Sequence, residues 1–158
     1  MTNLTQTWIP LPALLDDASA TGFREFRRRL AEAGHPTIRP GHGCVFRFVE
    51  EEGSRLTDLA ERSGLTKQAV GEVVADLEGL GYVERAPDPE DGRAKLIKLT
   101  ERGADALETG RAIFREMERD WGERLGAERV AVMRELLEEL TARETAARPL
   151  STPRTPGA

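Results

Sequence analysis

A chain of 158 residues is long enough for one domain with its own core, and two independent domains are not expected from it. Charged residues make up 32% and hydrophobic ones 39%, with no apolar run near the length of a membrane span. A net charge of −5 argues against an indiscriminate nucleic-acid binder, so any contact with DNA must rest on local cations. One cysteine and two histidines exclude an internal disulfide and any standard zinc site, so no cofactor or metal is expected. The start of the chain has neither a basic nor a long apolar stretch, which leaves the cytoplasm as the expected compartment.

Residues 10–33 place Leu11, Leu14, Leu15, Ala18, Phe26, Leu30 and Ala33 at three-and-four spacing, the pattern of an amphipathic helix stopped by Gly34-His35-Pro36. Cys44, Val45, Phe48 and Val49 predict a short second helix running into an acidic tail and Gly53. Cys44 reads as an inert, buried thiol, and His35 and His42 as ordinary loop histidines. Thr57 is expected to cap a short helix carrying Leu59 and Ala60, followed by a tight turn at Ser63-Gly64. Thr66 caps the next helix, which runs to about Leu80 with Val70, Val73, Val74, Leu77 and Leu80 on one face. Gly81 ends it. Tyr82 to Arg85 and Lys95 to Leu99 flank the turn-rich stretch Pro87-Asp88-Pro89-Glu90-Asp91-Gly92, and so predict a hairpin. Helix, turn, helix, hairpin is the outline of a winged helix-turn-helix.

From Thr100 the apolar positions Leu107, Phe114, Met117, Trp121 and Leu125 predict a helix of about 35 Å. After Gly126 a last helix carries Val130, Met133, Leu136, Leu137 and Leu140. The composition of residues 148–158 predicts a disordered tail. The expected fold class is therefore mainly α with a small β-hairpin wing. Its parts are N-terminal helices over 10–52, a winged helix-turn-helix over 53–100 and C-terminal helices over 101–147.

The chemistry of base recognition singles out the start of the second helix of this motif, which in such folds lies in the major groove. Gln68 suits a two-pronged contact to adenine, Lys67 reaches guanine or phosphate, and Glu72 accepts from the amino group of cytosine. Thr66 sets the helix start, and the small Gly71 permits close approach. At the wing tip, Arg93 beside Gly92 suits a narrow minor groove, with Lys95 and Lys98 following on the outgoing strand. Asp88 and Asp91 flank Arg93 and would repel phosphate unless one of them orients the arginine.

These residues carry a resemblance. Leu56 to Gly103, with Leu65-Thr66-Lys67-Gln68, Leu80-Gly81-Tyr82-Val83-Glu84-Arg85, Asp88-Pro89-Glu90-Asp91-Gly92-Arg93 and Ile97-Lys98-Leu99-Thr100, is similar to the multiple-antibiotic-resistance-regulator (MarR) family. The resemblance implies a homodimer joined through its end helices, a recognition helix from Thr66, a wing arginine at Arg93 and response to a small aromatic or anionic ligand whose pocket residues do not carry over. Leu11, Leu14, Trp121, Met133, Leu137 and Leu140 are the candidate interface positions. The expected function is a DNA-binding transcriptional regulator, a ligand-responsive repressor on a near-palindromic duplex site. The competing reading is a winged helix used only for protein interaction. It draws on the charge of residues 53–100, where seven cations face nine acidic groups, a net of −2. Four of those cations, Lys67, Arg93, Lys95 and Lys98, lie at the helix start or on the wing, as DNA reading requires. No nucleophile, base and orienting group share a motif, so an enzyme is not expected.

Overall fold

The computed structural model describes residues 8–147, with side chains to residue 142. The tail expected over 148–158 lies outside the described residues. The chain divides into two compact units, with the division after Phe114.

In the first unit, helix α1 (Leu11–Glu32) begins at Pro10, where a missing N–H costs nothing, and buries Leu30. A single 3₁₀ turn (Pro40–His42) leads into the short helix α2 (Gly43–Phe46), which buries Val45. Strand β1 (Ser54–Arg55) precedes helices α3 (Leu56–Ser63) and α4 (Lys67–Gly79), and strands β2 (Val83–Pro87) and β3 (Lys95–Leu99) form the hairpin. The sheet is antiparallel in the order β1-β3-β2, with Arg55 and Ala86 on either side of Leu96. Helix α5 (Glu101–Leu125) begins in the first unit. The second unit holds the end of α5 and helix α6 (Ala127–Ala147), separated by Gly126.

The core of the first unit gathers Val45 of α2, Leu59 of α3, Val70, Val74 and Leu77 of α4, and Tyr82, Val83 and Ile97 of the sheet. Tyr82 is wholly buried, and its hydroxyl accepts from the Arg102 guanidinium (3.3 Å) and lies against His35 Nδ1 (3.4 Å) and Thr37 (3.3 Å). Its polar atom is thereby satisfied inside the core. The Tyr82 carbonyl receives the Thr100 amide at 3.1 Å, and α5 crosses so closely here that a Cβ on Gly103 would lie 1.9 Å from that oxygen. The glycine three residues after Thr100 is therefore a packing requirement.

The mainly α architecture with a small hairpin agrees with the sequence reading, and three features differ from it. Strand β1 was not expected, because two residues carry no period. Thr57 is no cap. Helix α3 starts at Leu56 from Arg55, and the Thr57 hydroxyl donates to Asp58 in the first turn. The apolar positions of α5 bury unequally, since Ile113 and Met117 are enclosed whereas Phe114 and Leu125 are each 40% exposed.

Candidate nucleic-acid interface

Helix α4 has an exposed face and a buried back. The Thr66 hydroxyl accepts from the Ala69 amide at 3.2 Å, satisfying one of the open donors of the first turn. Val70, Val74 and Leu77, at spacings of three and four, are fully buried and fix the rotation of the helix. Lys67, Gln68, Glu72 and Ala75 consequently face solvent. Gln68 Nε2 sits 3.4 Å from Glu72 Oε1, a long contact that leaves the amide able to turn to another partner. Gly71 does not belong to this open face. It is half-buried, and a Cβ there would lie at an ordinary contact distance of 3.7 Å from Leu56 Cδ2 of α3.

The wing turn spans residues 88–94. The Asp88 amide donates to the Ala94 carbonyl (3.1 Å), the Ala94 amide to the Asp91 carbonyl (2.9 Å) and the Arg93 amide to Asp91 Oδ1 (3.1 Å). These bonds shape the tip and leave the Arg93 guanidinium exposed, with no hydrogen bond or ion pair among the described residues. Orientation of the Arg93 side chain by Asp88 or Asp91 is thus corrected: Asp91 holds the backbone of Arg93, and Asp88 holds a different arginine. The Asp88 side chain is buried and takes Arg55 at Oδ2 (Nε at 2.7 Å, a second guanidinium nitrogen at 2.5 Å) and the Glu90 amide at Oδ1 (2.8 Å). The Glu90 amide, ahead of Arg55, keeps the Asp88 carboxyl below the usual carboxylate range. Lys95 is exposed at the end of the hairpin, whereas Lys98 is half-buried, its stem beside Gly53. Arg55 carried no signal that sequence reasoning could use, being one more arginine ahead of a helix.

A cavity of about 860 Å³ lies in the first unit, lined by α1, the 3₁₀ turn, α2, the end of α3 and α5, with Cys44 but neither histidine in its wall. Phe23, Phe26 and Phe114 form one wall, with Phe26 and Phe114 stacked at 4.1 Å between centroids. Arg27, Arg39, Arg47, Arg62 and Arg111 also line it, with no carboxylate among the described lining residues, although Glu50 and Glu108 pair with Arg62 and Arg111. Cys44 is half-buried on this wall. Its thiol donates to the Gly41 carbonyl (3.2 Å), and burial pushes its ionisation up, away from the range of a reactive thiolate. Both histidines are buried and bonded. His35 Nε2 meets Asp105 at 3.0 Å. His42 Nδ1 accepts the Arg39 amide at 3.1 Å, so that Nε2 donates to Asp76 of α4 at 2.8 Å. Arg39 itself lies 3.5 Å from Asp76.

Of the candidate interface positions, Leu11 and Leu14 on α1 are 65% and 46% exposed, and Met133, Leu137 and Leu140 on α6 are likewise open. Trp121 is half-buried within the chain.

Two helices joined by a short turn, the second capped and open on one face, with a hairpin wing beside them, define the class as a winged helix-turn-helix protein. Residues 38–94 match the model of the MarR family, the family that the motifs of this segment resemble. An uncharacterised HTH-type transcriptional regulator of Mycobacterium bovis is 34% identical over 74 residues, which is 40% of this chain and 52% of the relative. One of Bacillus subtilis is 34% identical over 64 residues, 40% of this chain and 44% of the relative. The chain thus spans about half the length of the curated relatives it matches. Among solved structures, a Staphylococcus aureus MepR mutant has a TM-score of 0.65 at 22% identity, over 85% of this chain and 98% of that one. Wild-type MarR of Escherichia coli has 0.63 at 24%, over 84% and 98%. A MepR mutant bound to an oligodeoxyribonucleotide has 0.57 at 22%, over 86% and 99%. The curated relatives are described as HTH-type transcriptional regulators.

Proposed function

We propose that the chain is a sequence-specific, double-stranded DNA-binding transcriptional regulator that acts as a homodimer in the cytoplasm. The observation that carries this reading is the joint exposure of Lys67 and Gln68 on a helix fixed from behind and of an unpaired Arg93 on a tied wing. One set suits base edges in the major groove, the other a minor groove. That a structural neighbour binds an oligodeoxyribonucleotide favours this use over a protein-interaction module. Two-fold symmetry of a dimer calls for a near-palindromic site with half-site centres about one helical turn apart. No helix among the described residues is long and apolar enough to cross a membrane.

The cavity supports a ligand-responsive repressor. Its aromatic wall and its arginines suit a small aromatic anion, although Arg62 and Arg111 are already paired with Glu50 and Glu108 and Arg39 lies near Asp76. Arg39 is shared between the cavity and Asp76 of α4, so an anion that draws Arg39 inward takes charge compensation from the reading helix. A neighbour of this fold binds ethidium, a cation, and the arginine lining here favours the opposite charge.

The test is selection of binding sequences from a random duplex pool, followed by titration of the enriched duplex with salicylate present and absent. The expected result is an enriched inverted repeat whose affinity falls with salicylate. A pool left at its starting composition would reject the DNA reading, and an unaltered affinity with the aromatic acid would reject that ligand class.

A further inference from the structure

We propose that Arg55, on the two-residue strand β1, is a positioning residue for the wing: its grip on Asp88 sets where Arg93 is presented. The inference rests on the DNA-binding reading above and names a residue outside the reading helix and the wing. Three observations carry it. Arg55 is paired with Leu96 of the central strand, and its guanidinium reaches past β3 to Asp88, where the wing turn leaves β2. The Asp88 carboxylate is buried and fully engaged, with Arg55 on one oxygen and the Glu90 amide on the other. The base of β1 admits no slack: Gly53 has φ +98°, and a Cβ there would lie 2.8 Å from Lys98 Cγ and 3.1 Å from Leu96 Cβ. Both Arg55 donors converge on Asp88 Oδ2, and a planar guanidinium has fewer ways to approach that oxygen than a freely rotating ammonium. The wing turn is therefore fastened to the sheet at its first residue, and its tip is shaped by its own backbone bonds. Without Arg55 the turn keeps those internal bonds and loses its fastening.

The alternative is that Arg55 is merely one more cation near DNA, and Asp88 separates the two cases by sign. Asp88→Asn removes a negative charge, so simple electrostatics predicts tighter DNA binding, whereas positioning predicts weaker binding. The experiment compares the parent with Arg55→Met, Arg55→Lys, Asp88→Asn and the Arg55→Met/Asp88→Asn double variant. It reads amide exchange at Glu90 and Ala94 in the free protein, and affinity for the duplex that the parent enriches from a random pool. Expected are faster exchange at Glu90 and about tenfold weaker binding for Arg55→Met and for Asp88→Asn, with partial recovery in Arg55→Lys. The double variant should lose no more than either single one, as for two residues acting as a unit. Tighter binding by Asp88→Asn, or exchange and affinity unchanged in Arg55→Met, would overturn the proposal. If the parent enriches no duplex, the DNA reading falls by itself, and unchanged Glu90 exchange in Arg55→Met would separately show that Arg55 does not fasten the turn.

Discussion

Arg93 and Gln68 are exposed for different reasons, and the difference shapes what their loss should do. Gln68 is turned outward because Val70, Val74 and Leu77 take the inner face of α4. Arg93 is outward because the turn bonds its own backbone to Asp91 and leaves the side chain over. Arg93→Ala should weaken binding to the enriched duplex by about 1 to 3 kcal/mol per half-site and flatten the salt dependence. The melting temperature should stay put, since an exposed tip contributes little to the core. Arg93→Lys should recover part of the affinity, because an ammonium keeps the charge without the planar, weakly hydrated fork. Titrations over a series of salt concentrations check both, and parent-like affinity and slope for Arg93→Ala would take the wing out of recognition. The exposure of both residues was legible in the sequence, from their place after a capping threonine and after a Gly in a dense turn. Gly71 is half-buried beside α3, a placement that the sequence could not distinguish from an outward-facing small residue.

The elements that present those side chains are held by contacts far apart in sequence. Helix α4 and the hairpin could be read directly, since apolar period and turn composition are local signals. Strand β1 could not, because its reason to exist lies in Leu96 and Ile97, some forty residues away. The junction of the sheet with α5 is the tightest of these contacts. Gly103→Ala would drive a methyl into the Tyr82 carbonyl, and overpacking of this kind costs about 1 to 3 kcal/mol or more. Chemical denaturation should show that loss, and a parent-like midpoint would mean that α5 can slide away from the strand. The Asp88 carboxyl gives the wing a pH signature of known sign. Its ionisation is depressed in the folded chain, so the stabilisation is complete above the ordinary carboxylate value near 3.8 and disappears as pH falls through the lower folded value. The difference in unfolding midpoint between the parent and Asp88→Asn should therefore be constant around neutral pH and vanish in strong acid. A difference that faded near neutrality would assign the effect to another group.

The whole molecule is acidic, and its dimer would carry −10, twice the −5 of one chain, so long-range attraction to DNA is weak and recognition must rely on close contacts. Helix α6 leaves Val132, Met133, Leu136, Leu137 and Leu140 open in the single chain, an apolar surface that a second copy would cover. Leu137→Glu should leave the single chain folded, because Leu137 is 38% exposed there, while shifting light-scattering mass from dimer to monomer. A parent that already scatters as a monomer would move the interface elsewhere. The proposed dimer was legible only as a surplus of apolar residues on the end helices. The cavity was not legible at all, since its arginines come from four separate stretches of chain that only the fold assembles. The central claim is that the helix from Thr66 and the wing read DNA sequence. Its most direct measurement is the ratio of affinities of the parent for its enriched duplex and for a scrambled duplex of the same composition, at physiological salt. The account predicts a ratio of about 10³ or more, reduced towards unity by Gln68→Ala with Arg93→Ala. Equal affinity for the two duplexes would contradict it.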